Sequence, residues 1–93
     1  MAKNLTVTLK TFERYLSQEA AFRDGKKYVF TFPNGYGADV VCHSGSYGGK
    51  LGLWELAVLK DTEIYYNSPL TSDVLGYLED EDVKEALEEI IKY

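Results

Sequence analysis

The chain reads as a single α+β domain spanning 1–93, a four-stranded antiparallel meander sheet covered on one face by an N-terminal helix and C-terminal helices (α-β-β-β-β-α-α). Three observations predict it. Tyr28-Val29-Phe30-Thr31-Phe32, Ala38-Asp39-Val40-Val41-Cys42, the run 53–59 and Glu63-Ile64-Tyr65-Tyr66 follow one another as short β-rich segments at hairpin spacing. Apolar residues spaced by three and four flank them, at Phe12, Tyr15 and Leu16 on one side and at Val83, Leu87, Ile90 and Ile91 on the other. A length of 93 residues leaves room for one core.

At the N-terminus, Leu5, Val7 and Leu9 alternate with Thr6, Thr8 and Lys10, the pattern of a short extra strand or an extended arm. Thr11 then caps a helix beginning at Phe12, whose apolar face takes in Tyr15, Leu16 and Ala20 with Phe22 near its end. Gly25, after Asp24, is the expected stop, because glycine closes a helix in the left-handed conformation without a Cβ clash. The first strand, 27–32, places Tyr28, Phe30 and Phe32 on one face and Val29 and Thr31 on the other. Pro33 ends its pairing, and Asn34-Gly35 supplies the positive φ angles of a tight hairpin turn into a second strand, 38–44.

Past the loop Gly45-Ser46-Tyr47-Gly48-Gly49-Lys50, a third strand starts near Gly52 and is apolar on both faces except at Glu55, which predicts a central position in the sheet. Lys60-Asp61-Thr62 turns into a fourth strand, 63–67, that Pro69 ends. Thr71 or Ser72 is expected to cap a helical turn carrying Val74, Leu75 and Leu78, and Asp80 to cap the last helix, whose first-turn acids suit its dipole.

The residues exclude several kinds of chemistry. Structural zinc needs four Cys or His ligands, and the chain has only Cys42 and His43. Neighbours on a strand point to opposite faces, so these two cannot act as nucleophile and base. No cofactor, metal site or catalytic set is expected, and Glu55, alone in an apolar strand, has no second catalytic group. No apolar run reaches the roughly 18 residues that cross a bilayer, and the N-terminus lacks the continuous apolar stretch of a signal peptide, so a soluble, cytoplasmic protein without membrane contact is expected.

Charge is uneven within a net of −5: up to Lys50 there are seven Lys or Arg against four acids, and from Leu51 onward three against eleven. Such an acidic C-terminal part repels polyanions, so nucleic acid is not an expected partner. The dense acids of the last helix, Glu81, Glu85, Glu88 and Glu89 among them, suit a basic protein partner as well as plain solvation. Eight tyrosines add contact area at low entropic cost. Of these, Tyr36 and Tyr47 beside turns are the candidates for partner contact, with Tyr65 or Tyr66 in support. A rival reading takes Gly48, Gly49 and Lys50 as a ligand site for a nucleotide or other anion, although the loop departs from the phosphate-loop pattern and leads into a strand.

Phe32-Pro33-Asn34-Gly35-Tyr36-Gly37-Ala38, Tyr47-Gly48-Gly49, Leu53 with Glu55-Leu56-Ala57-Val58-Leu59, Tyr66, Pro69-Leu70-Thr71 and Asp73-Val74-Leu75-Gly76-Tyr77-Leu78 together resemble a family of small uncharacterised proteins from tailed phages and prophages of Gram-positive bacteria. The resemblance covers most of the chain. It implies a cytoplasmic accessory protein made in an infected or lysogenic cell that binds a host or phage macromolecule, and it carries over no catalytic or ligand residue. With the acidic last helix and the missing catalytic set, the expectation is a non-enzymatic protein that binds a host or phage protein, as an acidic inhibitor or a nucleic-acid mimic. The alternatives are the anion-binding reading and a structural role in the virion or its assembly, which leaves homo-oligomerisation open.

Overall fold

The computed structural model describes residues 2–71 and 73–93. It is an α+β fold with the elements α1 (Thr6–Phe12), a 3-10 turn (Glu13–Tyr15), β1 (Leu16–Phe22), β2 (Gly25–Thr31), β3 (Tyr36–Cys42), a second 3-10 turn (Gly49–Leu51), β4 (Trp54–Lys60), β5 (Glu63–Ile64), β6 (Val74–Leu78) and α2 (Asp80–Ile90). All strands join one antiparallel sheet in the order β1-β2-β3-β4-β5, and β6 also pairs with β4. The order is therefore α-β-β-β-β-β-β-α, with six strands where the sequence predicts four.

The expected centre of the sheet is in place. Tyr28, Phe30 and Phe32, then Ala38, Val40 and Cys42, then Trp54, Leu56 and Val58 alternate along the chain and meet Leu5 and Phe12 from α1 and Val83, Ala86, Leu87 and Ile90 from α2 in one buried cluster. Both helices thus cover the same face of the sheet, and β4 lies between β3 on one side and β5 with β6 on the other. The indole of Trp54, 1% exposed, meets the Tyr28 ring edge to face at 5.6 Å.

The structure departs from the expected elements at both ends of the sheet. The helix expected over 12–24 is absent, and most of that segment is the edge strand β1. Arg23-Asp24 forms a two-residue turn that brings Phe22 opposite Gly25, and Arg23 takes φ 55°. Gly25 is no helix stop; a Cβ there would run into the Cys42 carbonyl, so the glycine permits close approach of β2 to β3. The helix lies earlier, at Thr6–Phe12, where Leu5, Thr8 and Phe12 at spacings of three and four are buried, and the alternation of Leu5, Val7 and Leu9 is incidental.

The Val74–Leu78 segment is strand rather than helical turn, pairing Leu78 with Trp54, Leu75 with Leu56 and Val74 with Ala57 across a bulge. Thr71 bonds Asp73 N–H through its hydroxyl at 3.1 Å without starting a helix, and Ser72, the other expected cap, lies outside the described residues. The expected fourth strand shrinks to Glu63–Ile64. Finally, the N-cap of α2 is Glu79, in a capping box with Asp82. Asp80 reaches across to α1 instead: its carboxylate accepts from the N–H groups of Val7 at 2.7 Å and Thr8 at 2.8 Å, and its carbonyl accepts from the Thr8 hydroxyl at 2.9 Å.

Between β2 and β3, Phe32 N–H bonds Tyr36 O at 2.8 Å and closes a three-residue loop, 33–35, in which only Gly35 takes positive φ, 87°, and its N–H bonds Phe32 O at 3.1 Å. Asn34, expected to share the positive φ, serves otherwise. Its side-chain oxygen accepts from Tyr36 N–H at 2.9 Å, and its NH2 group donates to the carbonyls of Ile90, Ile91 and Tyr93 at 3.0–3.2 Å, which ties the hairpin to the C-terminal end of α2. A Cβ at Gly35 would meet only Asp61 Oδ1 at 3.5 Å, so the demand for glycine is conformational. Gly35→Val is expected to cost about 1–3 kcal/mol through backbone strain, read as a lowered midpoint in thermal unfolding.

Candidate protein-binding surface

α2 places its acids in two groups. Glu79, Asp80 and Asp82 are occupied in helix capping and in holding α1, and Glu79 also stands 3.7 Å from Lys3. Glu88 is half-buried and 3.2 Å from Lys84, whose ammonium it holds more strongly protonated than an ordinary lysine. Glu81, Glu85 and Glu89 are exposed, and among the described residues none has a salt-bridge partner. They recur every four residues, so they form one row with steps of about 6 Å along a rigid rod.

Beside this row runs a groove of about 270 Å³ whose apolar floor is Leu70, Leu75 and Ala86 and whose helix wall is Asp82, Glu85 and Glu89. The groove exists because β6 pairs with β4 and carries Leu75 up against the helix, a placement that an expected helical turn at 74–78 does not suggest. Its chemistry, carboxylates along an apolar slot, suits a cationic polypeptide segment with apolar side chains between its charges.

The two candidate tyrosines part company. Tyr36 is half-buried in an aromatic cluster, edge to face with Tyr65 at 5.9 Å and Tyr93 at 5.1 Å, with the Lys60 ammonium 5.6 Å from its ring centroid. Tyr47 is 57% exposed, and its N–H donates to Glu55 Oε1 at 2.9 Å, which gives that half-buried carboxylate a structural use. Tyr77 N–H donates to Tyr47 O at 3.2 Å, and Tyr77 takes φ 58°, so the bulge in β6 turns a strained tyrosine out to solvent beside Tyr47 and Leu51. Neither Tyr77 nor Leu51 is singled out by the sequence. The one sign was Gly76 ahead of Tyr77 inside an apolar run, a mark of a bulge or close approach; a Cβ at Gly76 would lie 2.5 Å from Tyr47 Cβ.

Gly48 and Gly49 build a turn whose donors are spent within the protein. The N–H groups of Ser44, Gly45, Ser46, Tyr47, Gly49, Leu51, Gly52 and Leu53 all donate to Asp24, His43, Ser46, Gly48, Gly49 or Glu55. An anion cradle needs several such groups aimed outward, and here that leaves Gly48 and Lys50. The Ser44 bonds hold the Asp24 carboxyl below its ordinary range. Cys42 is buried, its thiol pushed up by that burial, and His43 accepts from Gly45 N–H through Nδ1 at 3.0 Å. Among the described residues no three His, Cys, Asp or Glu side chains converge as a metal site, and no helix is long and apolar enough to cross a membrane.

On the face of the sheet away from the helices lies a second hollow, about 450 Å³, with Ser17 and Gln18 on one side and Thr62 and Ile64 on the other. Lys27 and Asp39 inside it pair at 3.3 Å, so it presents no net charge. Among the described residues the acidic row with its apolar groove therefore sets unpaired charge beside apolar side chains, which makes it the candidate binding surface. No protein-family model, curated protein or solved structure matches the chain.

Proposed function

We propose that the chain is a non-enzymatic accessory protein of a tailed phage or prophage of Gram-positive bacteria, which binds a basic host or phage protein in the host cytoplasm. It acts as an acidic inhibitor, presenting carboxylates where the partner otherwise meets nucleic acid. The phage setting rests on the resemblance described above. The binding mode rests on one observation: Glu81, Glu85 and Glu89, free of salt bridges among the described residues, form a regular row, the last two walling a groove floored by Leu70, Leu75 and Ala86. Of the acids on α2, these three are committed neither to capping nor to a salt bridge among the described residues.

Exposed like charges on a rigid helix raise the encounter rate with an oppositely charged partner by about 10–10³-fold, and the effect falls steeply with salt. The triple variant Glu81→Lys, Glu85→Lys, Glu89→Lys keeps every cap and the Lys84–Glu88 pair. Tagged parent and triple variant, exposed to the same lysate of a Gram-positive host at low salt, should differ: a basic protein retained by the parent is lost by the variant. Equal retention on a folded variant would return the acids to a solvated helix face.

A further inference from the structure

We propose that the chain forms a two-fold dimer by antiparallel pairing of β1 with β1 of a second copy, making one continuous sheet. β1 is a seven-residue edge strand that pairs with β2 alone, and no backbone group of 17–22 makes a hydrogen bond outside that ladder among the described residues. Native sheets blunt such edges with Pro, Lys, short strands or strong bulges. β1, Leu-Ser-Gln-Glu-Ala-Ala-Phe, contains neither Pro nor Lys, and its one charge, Glu19, is answered by Lys26 on its own neighbour strand at 3.4 Å. Its bulge lies at one end, between Leu16 and Gln18.

The far edge of the sheet is unlike it. β5 has two residues, and β6 is interrupted by a bulge with Tyr77 at φ 58°. A second copy's β1 therefore finds no matching ladder there, which disfavours open-ended stacking and leaves the self-complementary, closed pairing of β1 with itself.

The register follows from the hairpin. Phe22 opposite Gly25 across a two-residue turn is a hydrogen-bonded pair, so Phe22, Ala20 and Gln18 turn their backbone groups toward β2 while Ala21 and Glu19 turn theirs outward. Pairing on the outer edge joins Glu19 to Ala21 of the second copy, and Ala21 to Glu19, with the two-fold axis at Ala20. An axis at Glu19 would set two carboxylates face to face, which is destabilising. An axis at Ala21 would shorten the overlap to 20–22. An axis at Gln18 gives an overlap of the same length, 16–20, but runs it across the bulge between Leu16 and Gln18. The axis at Ala20 separates the carboxylates over the regular part of the strand, 18–22, and faces small side chains to each other at the centre.

Sedimentation velocity across a wide range of concentration should show a species of twice the 10.5 kDa chain mass. In the Ala20→Cys variant the two copies of residue 20 would stand about 4.5 Å apart between Cα atoms, within the disulfide range. Mild oxidation should then join it into a covalent dimer, while Ala21→Cys, facing Glu19 of the second copy, should remain uncrosslinked. Ala21→Pro removes an outward N–H without touching the β2 ladder, a change edge strands tolerate, and should restore the monomer mass. A parent that sediments as a monomer throughout overturns the proposal. So does a dimer in which Ala20→Cys crosslinks no better than Ala21→Cys, a comparison that holds even where Ala21→Pro fails to fold. Each outcome is independent of the binding role of α2.

Discussion

Leu56→Ala should lower the free energy of unfolding by about 2–5 kcal/mol, because Leu56 is fully buried on the central strand and the side chains around it cannot all collapse into the space. It lies in one cluster with Val40 and Val58, α2 residues Val83, Leu87 and Ile90, and Leu75 of β6 packed against it. A loss of that size is a large part of the stability of a chain this short. Urea unfolding followed by the emission of Trp54, itself 1% exposed, reads it directly. An unchanged midpoint would mean that β4 is not the central strand.

Asp80→Ala should cost about 2–4 kcal/mol, far more than an exposed helix acid is ordinarily worth. Two charge-assisted hydrogen bonds to α1 are lost, from Val7 at 2.7 Å and from Thr8 at 2.8 Å, and Thr8 is fully buried, so its N–H is left without an acceptor. Asp80→Asn keeps an acceptor oxygen and should recover part of the loss. Glu81→Ala, one residue on and exposed, should change stability by less than about 0.5 kcal/mol. Equal midpoints for the position-80 and position-81 variants would show that α1 does not depend on this bridge.

Elements determined by neighbours in sequence were legible in advance. The alternation of Tyr28, Phe30 and Phe32, the turn at Gly35, the apolar run of β4 and the face of α2 each specify their own conformation within a few residues. Elements determined by distant partners were not. α1 is held by a carboxylate 72 residues away, and β1, with one neighbour and mostly exposed side chains, has no strand alternation, so helical spacing over the same residues reads equally well. β6 contains a bulge, and a bulge erases the period of two by which a strand is recognised.

The candidate surface divides in the same way. Acids on an amphipathic helix follow from sequence, but which of them remain unpaired depends on Lys84, Lys3 and the backbone of α1. Tyr36 beside a turn looks exposed until Tyr65 and Tyr93 arrive from elsewhere in the chain. The groove floor joins Leu70 and Leu75 to Ala86 and needs the strand that the apolar spacing of 74–78 disguises as a helix.

The proposed electrostatic docking by Glu81, Glu85 and Glu89 is tested most directly by the association rate with the recovered basic protein as ionic strength rises. Steering by an unpaired acidic row predicts a parent rate that falls steeply with salt, and a triple-lysine variant that binds slowly at low salt and gains, rather than loses, rate as salt is added. A parent rate insensitive to salt, matched by the variant at low salt, would contradict it.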